Sequence, residues 1–309
     1  MRNIIYILLL ATFSCQLSAQ NDVQYTHFLF NKLAFNAAYA GSAGVPTATA
    51  LYRNQWLSLD GAPTTATLNF HTPFFDGRSG FGLNLTSDRV GILRSNSIDL
   101  SYAYRFQIAK KGQLSLGVNG KIEQGKMDWT EANPLDIGDG SIPAGAEAAN
   151  VVPNFGFGIY YEQSNFYLGL SLPQLLNTSI YRDFDVASPT RDFRTYYLMT
   201  GYLMNLTNSI KLQPGAMVSF NAETPFELDV NANLIFMDAF WVGANYRLGD
   251  AISALVQYQF NPNFRIGTAF DFTMTELNSY SNGSVEIMLS FVFNKKLESA
   301  ERINHLRFF

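Results

Sequence analysis

The chain has 309 residues, and only 15% of them are charged while 15% are aromatic, with 26 Phe and 16 Tyr; ordinary soluble proteins carry roughly 25% charged residues. Its 21 basic and 25 acidic residues leave a net charge of −4, and the absence of a basic run excludes a chain that tracks a nucleic-acid backbone. One cysteine and three histidines leave little for thiol, disulfide or metal-centred chemistry.

The chain opens on "MRNIIYILLLATFSCQLSAQ", with Arg2, an apolar core over 4–13 and small residues ending at Ala19. That is the anatomy of a secretory signal peptide over 1–19, with the mature chain starting near Gln20. Cys15 falls inside the removable part, where Thr12 and Phe13 argue against a lipobox. Residues 20–46 follow as a periplasmic or plug segment. Its stretch "QYTHFLFNKLAFNAAYAG" spaces Tyr25, Phe28, Leu29 and Leu33 as a short amphipathic helix, either filling a lumen or resting on the periplasmic rim.

From residue 47 onward the pattern changes to strict alternation. Strands are expected near 47–56, 64–71, 79–88, 95–108, 112–126, 153–163, 165–172, 193–206, 210–221, 225–236, 239–249, 251–261, 263–273 and 282–293. In "FELDVNANLIF", Phe226, Leu228, Val230, Leu234 and Phe236 share one face and Glu227, Asp229, Asn231 and Asn233 the other, with Ile235 breaking the pattern. Such a ribbon also suits a β-sandwich. The connections decide between the two: "AKKG", "EQSN", "NLTNS", "MDA" and "NPN" are tight on one side, while 127–152, 173–192 and 274–281 are long on the other. Short periplasmic turns, long outer loops and ten-residue strands with apolar-out, polar-in alternation predict an all-β, closed antiparallel outer-membrane β-barrel of fourteen strands over 47–293. No run of about 20 apolar residues follows the signal, so a barrel is the only expected way of spanning a membrane. The tail 294–309 is polar and basic and is expected in the periplasm.

Two stretches attract a functional reading. "YRNQWLSLDGAPTT" sets Arg53, Gln55, Trp56 and Asp60 beside a Gly61-Ala62-Pro63 corner; it reads as a structural hairpin with a girdle Trp, or as an outward anchor for a partner. "MDWTEANPLDIGDGSIPAGAEAAN" carries Asp128, Trp129, Glu131, Asp136, Asp139 and Glu147. It lacks the spacing of a Ca²⁺ loop and reads as a solvated acidic loop or a partner contact. The histidines, His27, His71 and His305, all map toward the periplasm, away from any Ser or Asp poised for catalysis. No enzymatic activity, cofactor or metal is expected. Arg105, Lys121, Glu123, Glu227, Asp229, Arg247, Arg265 and Asp271 are expected as a charge network inside the barrel.

The chain resembles the PorP/SprF family of type IX secretion system membrane proteins of Bacteroidetes-type bacteria. The resemblance runs through residues 24–41, 52–74 (with its Arg-Asn-Gln-Trp and Gly-Ala-Pro-Thr-Thr block), 81–91, 101–106, 154–176, 240–260 and 280–293. Ala37, Val285 and "GTAFDF" (267–272) depart from the family pattern. The resemblance implies a non-enzymatic component or partner of that system in the bacterial outer membrane, acting in secretion and surface retention of cargo such as gliding adhesins. It also implies contacts to periplasmic secretion and gliding components, through the N-terminal segment and the tail. The other reading is a passive channel or hydrophobic-substrate transporter with the N-terminal helix as its plug.

Overall fold

The computed structural model describes residues 23–75, 77–108, 112–132, 145–177, 194–222 and 226–293, with backbone alone at 146–150. Alternation along the chain becomes a wall of strands: β1 (Thr47–Asn54), β2 (Thr64–Phe74), β3 (Ser79–Val90), β4 (Leu93–Gln107), β5 (Gln113–Asp128), β6 (Ala146–Glu162) and β7 (Phe166–Leu172). It continues through β8 (Tyr196–Tyr202, resumed at Met204–Asn205), β9 (Ile210–Phe220), β10 (Glu227–Phe236), β11 (Phe240–Arg247), β12 (Ala251–Asn261), β13 (Phe264–Thr273) and β14 (Ser284–Val292). Each strand pairs antiparallel with the next, and β14 pairs with β1, Thr47 facing Val292 and Asn54 facing Val285. The sheet is thus a closed barrel of fourteen strands. Closure pairs the backbone groups that an open edge would leave bare, a condition for crossing hydrocarbon.

The two faces of the wall differ as the pleat requires. Along β4, Ile98, Leu100, Tyr102, Tyr104 and Phe106 point outward at 38–52% exposure, while Ser97, Ser101, Ala103 and Arg105 point inward and are buried. On β10, Val230 and Leu234 face outward and Asp229, Asn231 and Asn233 face in. Ile235, the residue that breaks the alternation, also faces inward and is fully buried. Its burial shows that part of the lumen is apolar. Aromatic pairs such as Tyr104–Phe106, Tyr258–Phe260 and Phe291–Phe293 collect at one end of the exterior, as a membrane-interface girdle does.

Connections at the end that holds both barrel termini span 75–78, 108–112, 163–165, 206–209, 237–239 and 262–263. Those at the opposite end span 55–63, 91–92, 129–145, 173–195, 221–226, 248–250 and 274–283. We call these the turn end and the loop end; the loop end is the outer one by the rule that outer-membrane barrels keep their longer loops outside. Two of its connections, 91–92 and 248–250, are short, so the sorting is looser than the sequence pattern suggests. The wall also rises unevenly, since β3 to β6 run 12, 15, 16 and 17 residues and β7 only 7. At the turn end, Met237 (φ 50°) and Asp238 (φ 56°) are the central residues of a turn without glycine, closed by the Ala239 N–H donating to the Phe236 carbonyl at 3.0 Å. Left-handed conformation at both central positions matches the twist of the flanking strands, and Asp238 is held by Lys211 Nζ at 2.6 Å.

If lipid covers the outer face, a charge placed on it near mid-strand is penalised. Val230→Arg is expected to lower barrel stability by about 2–4 kcal/mol in lipid vesicles, measured by urea-driven unfolding. The inward-facing Ala269→Ser, on β13, serves as the lumenal comparison, and an equal effect of the two substitutions would contradict the outward assignment.

Candidate functional site

Residues 23–46 lie inside the barrel. Of these only Gly44 is exposed, and Phe28, Leu29, Ala38 and Ala40 are 0–1% exposed. The amphipathic helix expected from the spacing of Tyr25, Phe28, Leu29 and Leu33 does not form as one unit. Instead a 3-10 turn (Phe28–Phe30), a single helical turn α1 (Lys32–Phe35) and a second 3-10 turn (Ala37–Tyr39) follow one another. Asn36 interrupts them: its backbone is extended, its Oδ1 accepts the Ala38 N–H at 2.9 Å, and its Nδ2 donates to the Ile159 carbonyl at 3.0 Å. A segment surrounded by wall on all sides has no solvent face to present, so helical periodicity gives way to fitting the wall.

The fit is made by both apolar and small residues. Phe28, Leu29 and Phe35 pack with inward-facing Leu51, Tyr160, Tyr167, Tyr197, Met199, Met217, Ile235, Trp241 and Met288. Burial of each large apolar side chain is worth about 1.5–3 kcal/mol. Elsewhere the wall must let backbone meet backbone. A Cβ on Gly80 would lie 1.9 Å from the Ala40 carbonyl oxygen, and one on Gly117 would lie 2.2 Å from the Ala38 nitrogen. These two strand glycines are therefore the seats of the plug's second half. Arg105 reinforces them by donating to the Ala40 carbonyl and, at 3.0 Å, to that of Gly77. Lys32 sits 4.6 Å from the Tyr167 ring centroid and 5.3 Å from that of Tyr39.

The other end of the plug is held by charge. Arg53 Nη2 donates to Asp271 Oδ2 at 2.6 Å, and its Nη1 donates to Thr26 Oγ1 at 2.8 Å and Glu286 Oε2 at 3.2 Å. Glu286 also accepts the backbone N–H groups of Thr26 and His27 at 2.9 and 2.8 Å and lies 2.7 Å from His27 Nδ1. Thr26 Oγ1 donates to Asp271 Oδ1 at 2.8 Å. Gln24 joins a second group: its Nε2 donates to Glu227 Oε1 at 2.8 Å and its Oε1 accepts from Arg247 Nη1 at 3.2 Å, with Asp229 on Arg247 Nε at 3.1 Å. Arg53, Arg247, Asp271, Glu286 and Glu227 all lie within three residues of the loop-end limit of their strands. The interior charges named from sequence thus form separate clusters, not one network. Lys121 pairs with Glu123 at 2.6 Å, and Arg265 lies over the rings of Phe30 and Trp241.

Sequence placed His27 toward the periplasm; the structure places it at the opposite, loop-end side. The plug doubles the chain back through the lumen, so its start and its finish lie at different ends of the barrel. His71 does lie toward the turn end, where its Nδ1 accepts the Gly41 N–H at 3.2 Å, and His305 lies outside the described residues. His27 is fully buried and its Nε2 has no hydrogen-bond partner among the described residues. Its Nδ1 lies 2.7 Å from Glu286 Oε1, so the enclosed imidazole helps to fix the start of the plug. No His/Cys/Asp/Glu group among the described residues has the form of a metal centre.

Of the residues proposed for partner contact, Arg53 does not face outward; at 2% exposure it is committed to the plug. Gln55, Trp56 and Asp60 do lie on the 55–63 connection at the loop end, with Asp60 exposed. That connection is fastened to 274–283: Leu57 N–H donates to the Gly283 carbonyl at 2.7 Å, Asn282 N–H to the Leu57 carbonyl at 2.8 Å and Asn282 Nδ2 to Ser58 Oγ at 2.8 Å. Trp56 (φ 47°) and Ser58 (φ 73°) are held left-handed by this pairing, a conformation that costs non-glycine residues energy and needs such support. On the raised wall, Glu131 bridges Arg89 and Arg94 at 2.7 and 2.6 Å, Asp128 accepts from Thr130 Oγ1 at 2.6 Å, and Trp129 packs on the Met127 cluster. Asp136 and Asp139 lie outside the described residues. Sequence reading missed Glu286, Thr26 and Gln24. The signal available was a carboxylate on the inward face of the last strand, in register with Arg53 on the first.

The family model for the type IX secretion system membrane protein PorP/SprF matches residues 17–291, nearly the whole chain. The chain belongs to the PorP/SprF family. Among solved structures it is similar to the CymD monoaromatic hydrocarbon channel, at 11% identity, 86% of this chain, 94% of that one and a TM-score of 0.51. It is also similar to the Acinetobacter baumannii outer membrane protein Omp33, at 12% identity over 81% and 98% of the two chains, TM-score 0.48. A Pseudomonas aeruginosa FadL homologue matches at 13% identity over 84% and 94%, TM-score 0.48. A search of curated protein sequences gave no match. At such identities the structural likeness speaks to the barrel alone. Family and fold together make this PorP/SprF member an outer-membrane protein of the type IX secretion class.

Proposed function

We propose that this PorP/SprF protein is a non-enzymatic, plugged barrel whose loop end holds a protein exported by the type IX system at the cell surface, a gliding adhesin being one such cargo. The observation that carries this reading is the filled lumen: inward-facing Gln213, Asn231, Asn233, Asn245 and Gln257 are 0–1% exposed around the plug. A barrel packed in this way serves as a rigid frame for its loops. The channel reading requires that filling to leave. Contacts to periplasmic components fall to the turns and to the tail after Phe293, because residues 23–46 are enclosed.

The test is excision of 132–144 with a two-residue turn in its place, which spares β5 and β6. Insertion and heat-modifiable migration are expected to be unchanged, while the cargo moves from the cell surface into the medium. Full surface retention by the excised variant would remove this loop from the partner-binding face.

A further inference from the structure

The direction of the plug has a consequence for what the cell surface displays. Gln24 is bonded to Glu227, the first residue of β10, and to Arg247, the last of β11. Thr26 and His27 are bonded to Glu286, in register with Arg53 one residue from the loop-end limit of β1. At the other extreme, Gly41 lies against Thr72, Pro73 and Gly80, and Pro46 accepts from Phe293 N–H, both at the turn end. Between them the chain crosses the lumen once overall. Its amino-terminal side therefore enters the loop-end mouth, beside the start of β10 and the end of β11.

We propose that the plug opens with its Val23 side at the cell-surface mouth, latched through Thr26 and His27 by Arg53, Asp271 and Glu286, as a further element of the face that meets an exported protein. Val23 is the last described residue on that side and is half-buried, and the expected mature start at Gln20 lies only a few residues beyond it. The assignment of that face to a partner rests on the proposed function, whereas the topology stands without it.

The chain downstream of the signal has no cysteine, so single thiols report position cleanly. Val23→Cys is compared in intact cells with Asp60→Cys at the loop end and Ser209→Cys at the turn end, using a membrane-impermeant maleimide. Val23→Cys is expected to label from outside, as Asp60→Cys does, while Ser209→Cys labels only after the outer membrane is permeabilised. Labelling of Val23→Cys only after permeabilisation, or only after denaturation, would overturn the proposal. Adding Glu286→Gln to Val23→Cys is expected to raise its labelling rate about tenfold, the factor for losing a charge-assisted bond; an unchanged rate would remove the latch from the proposal. Heat-modifiable migration verifies that each variant is folded. Loss of surface cargo with Val23→Cys still labelled from outside would bear on the partner reading alone.

Discussion

Arg53→Ala is expected to lower the stability of the barrel by about 3–5 kcal/mol, the cost of leaving buried charges without their partner. The guanidinium is 2% exposed and faces two carboxylates, Asp271 and Glu286, that are 2% and 0% exposed. Removing it leaves two anions enclosed with Thr26 and His27, and the backbone of the plug loses the geometry that Glu286 holds. Truncation of Arg53 and neutralisation of both acids together (Asp271→Asn, Glu286→Gln) is expected to recover part of the loss, because no charge is then stranded. Arg53→Lys is expected to recover less than its conserved charge suggests, since a single ammonium does not span Asp271, Glu286 and Thr26 as the planar fork does. Urea-driven unfolding in lipid vesicles reads all three. A single Arg53→Ala cost below about 1 kcal/mol, the level of an exposed pair, would mean that the cluster is hydrated and does not hold the plug.

The wall was legible in the sequence because its signal is local. Each strand declares itself by period-2 alternation, and Asp229, Asn231 and Asn233 of β10 face inward and Val230 and Leu234 outward, as that alternation predicts. Ile235 was the misfit, and only the structure explains it: it is buried in the lumen within the apolar cluster around the plug. The path of residues 23–46 was not legible. Helical spacing of Tyr25, Phe28, Leu29 and Leu33 reports that they are buried, but a segment enclosed on every side carries no period from which its path can be read. Arg53 was misassigned for a related reason. Its neighbours Gln55, Trp56 and Asp60 form an outer connection, yet inward alternation along β1 passes through Thr47, Thr49, Leu51 and Arg53. The charge partners of Arg53 lie more than 200 residues away in the chain, a separation that closure of the barrel removes.

The second large effect concerns passage through the lumen. Fourteen strands enclose space for a channel unless something fills it, and here Phe28, Leu29, Phe35 and the backbone from Asn36 to Gly41 fill it against Tyr160, Met199, Ile235, Trp241, Gly80 and Gly117. Removal of residues 24–44, with residues 1–23 and the wall retained, takes away both the apolar contacts and the latch while leaving every strand pairing in place. The inner face then keeps its ring of Asn, Gln, Ser and charged residues, which water can line. The direct measurement is single-channel current in planar bilayers for the intact protein and the 24–44 deletion, side by side. The filled lumen predicts no steady conductance from the intact protein and a steady open step from the deletion; a steady step of the same size from both would contradict it.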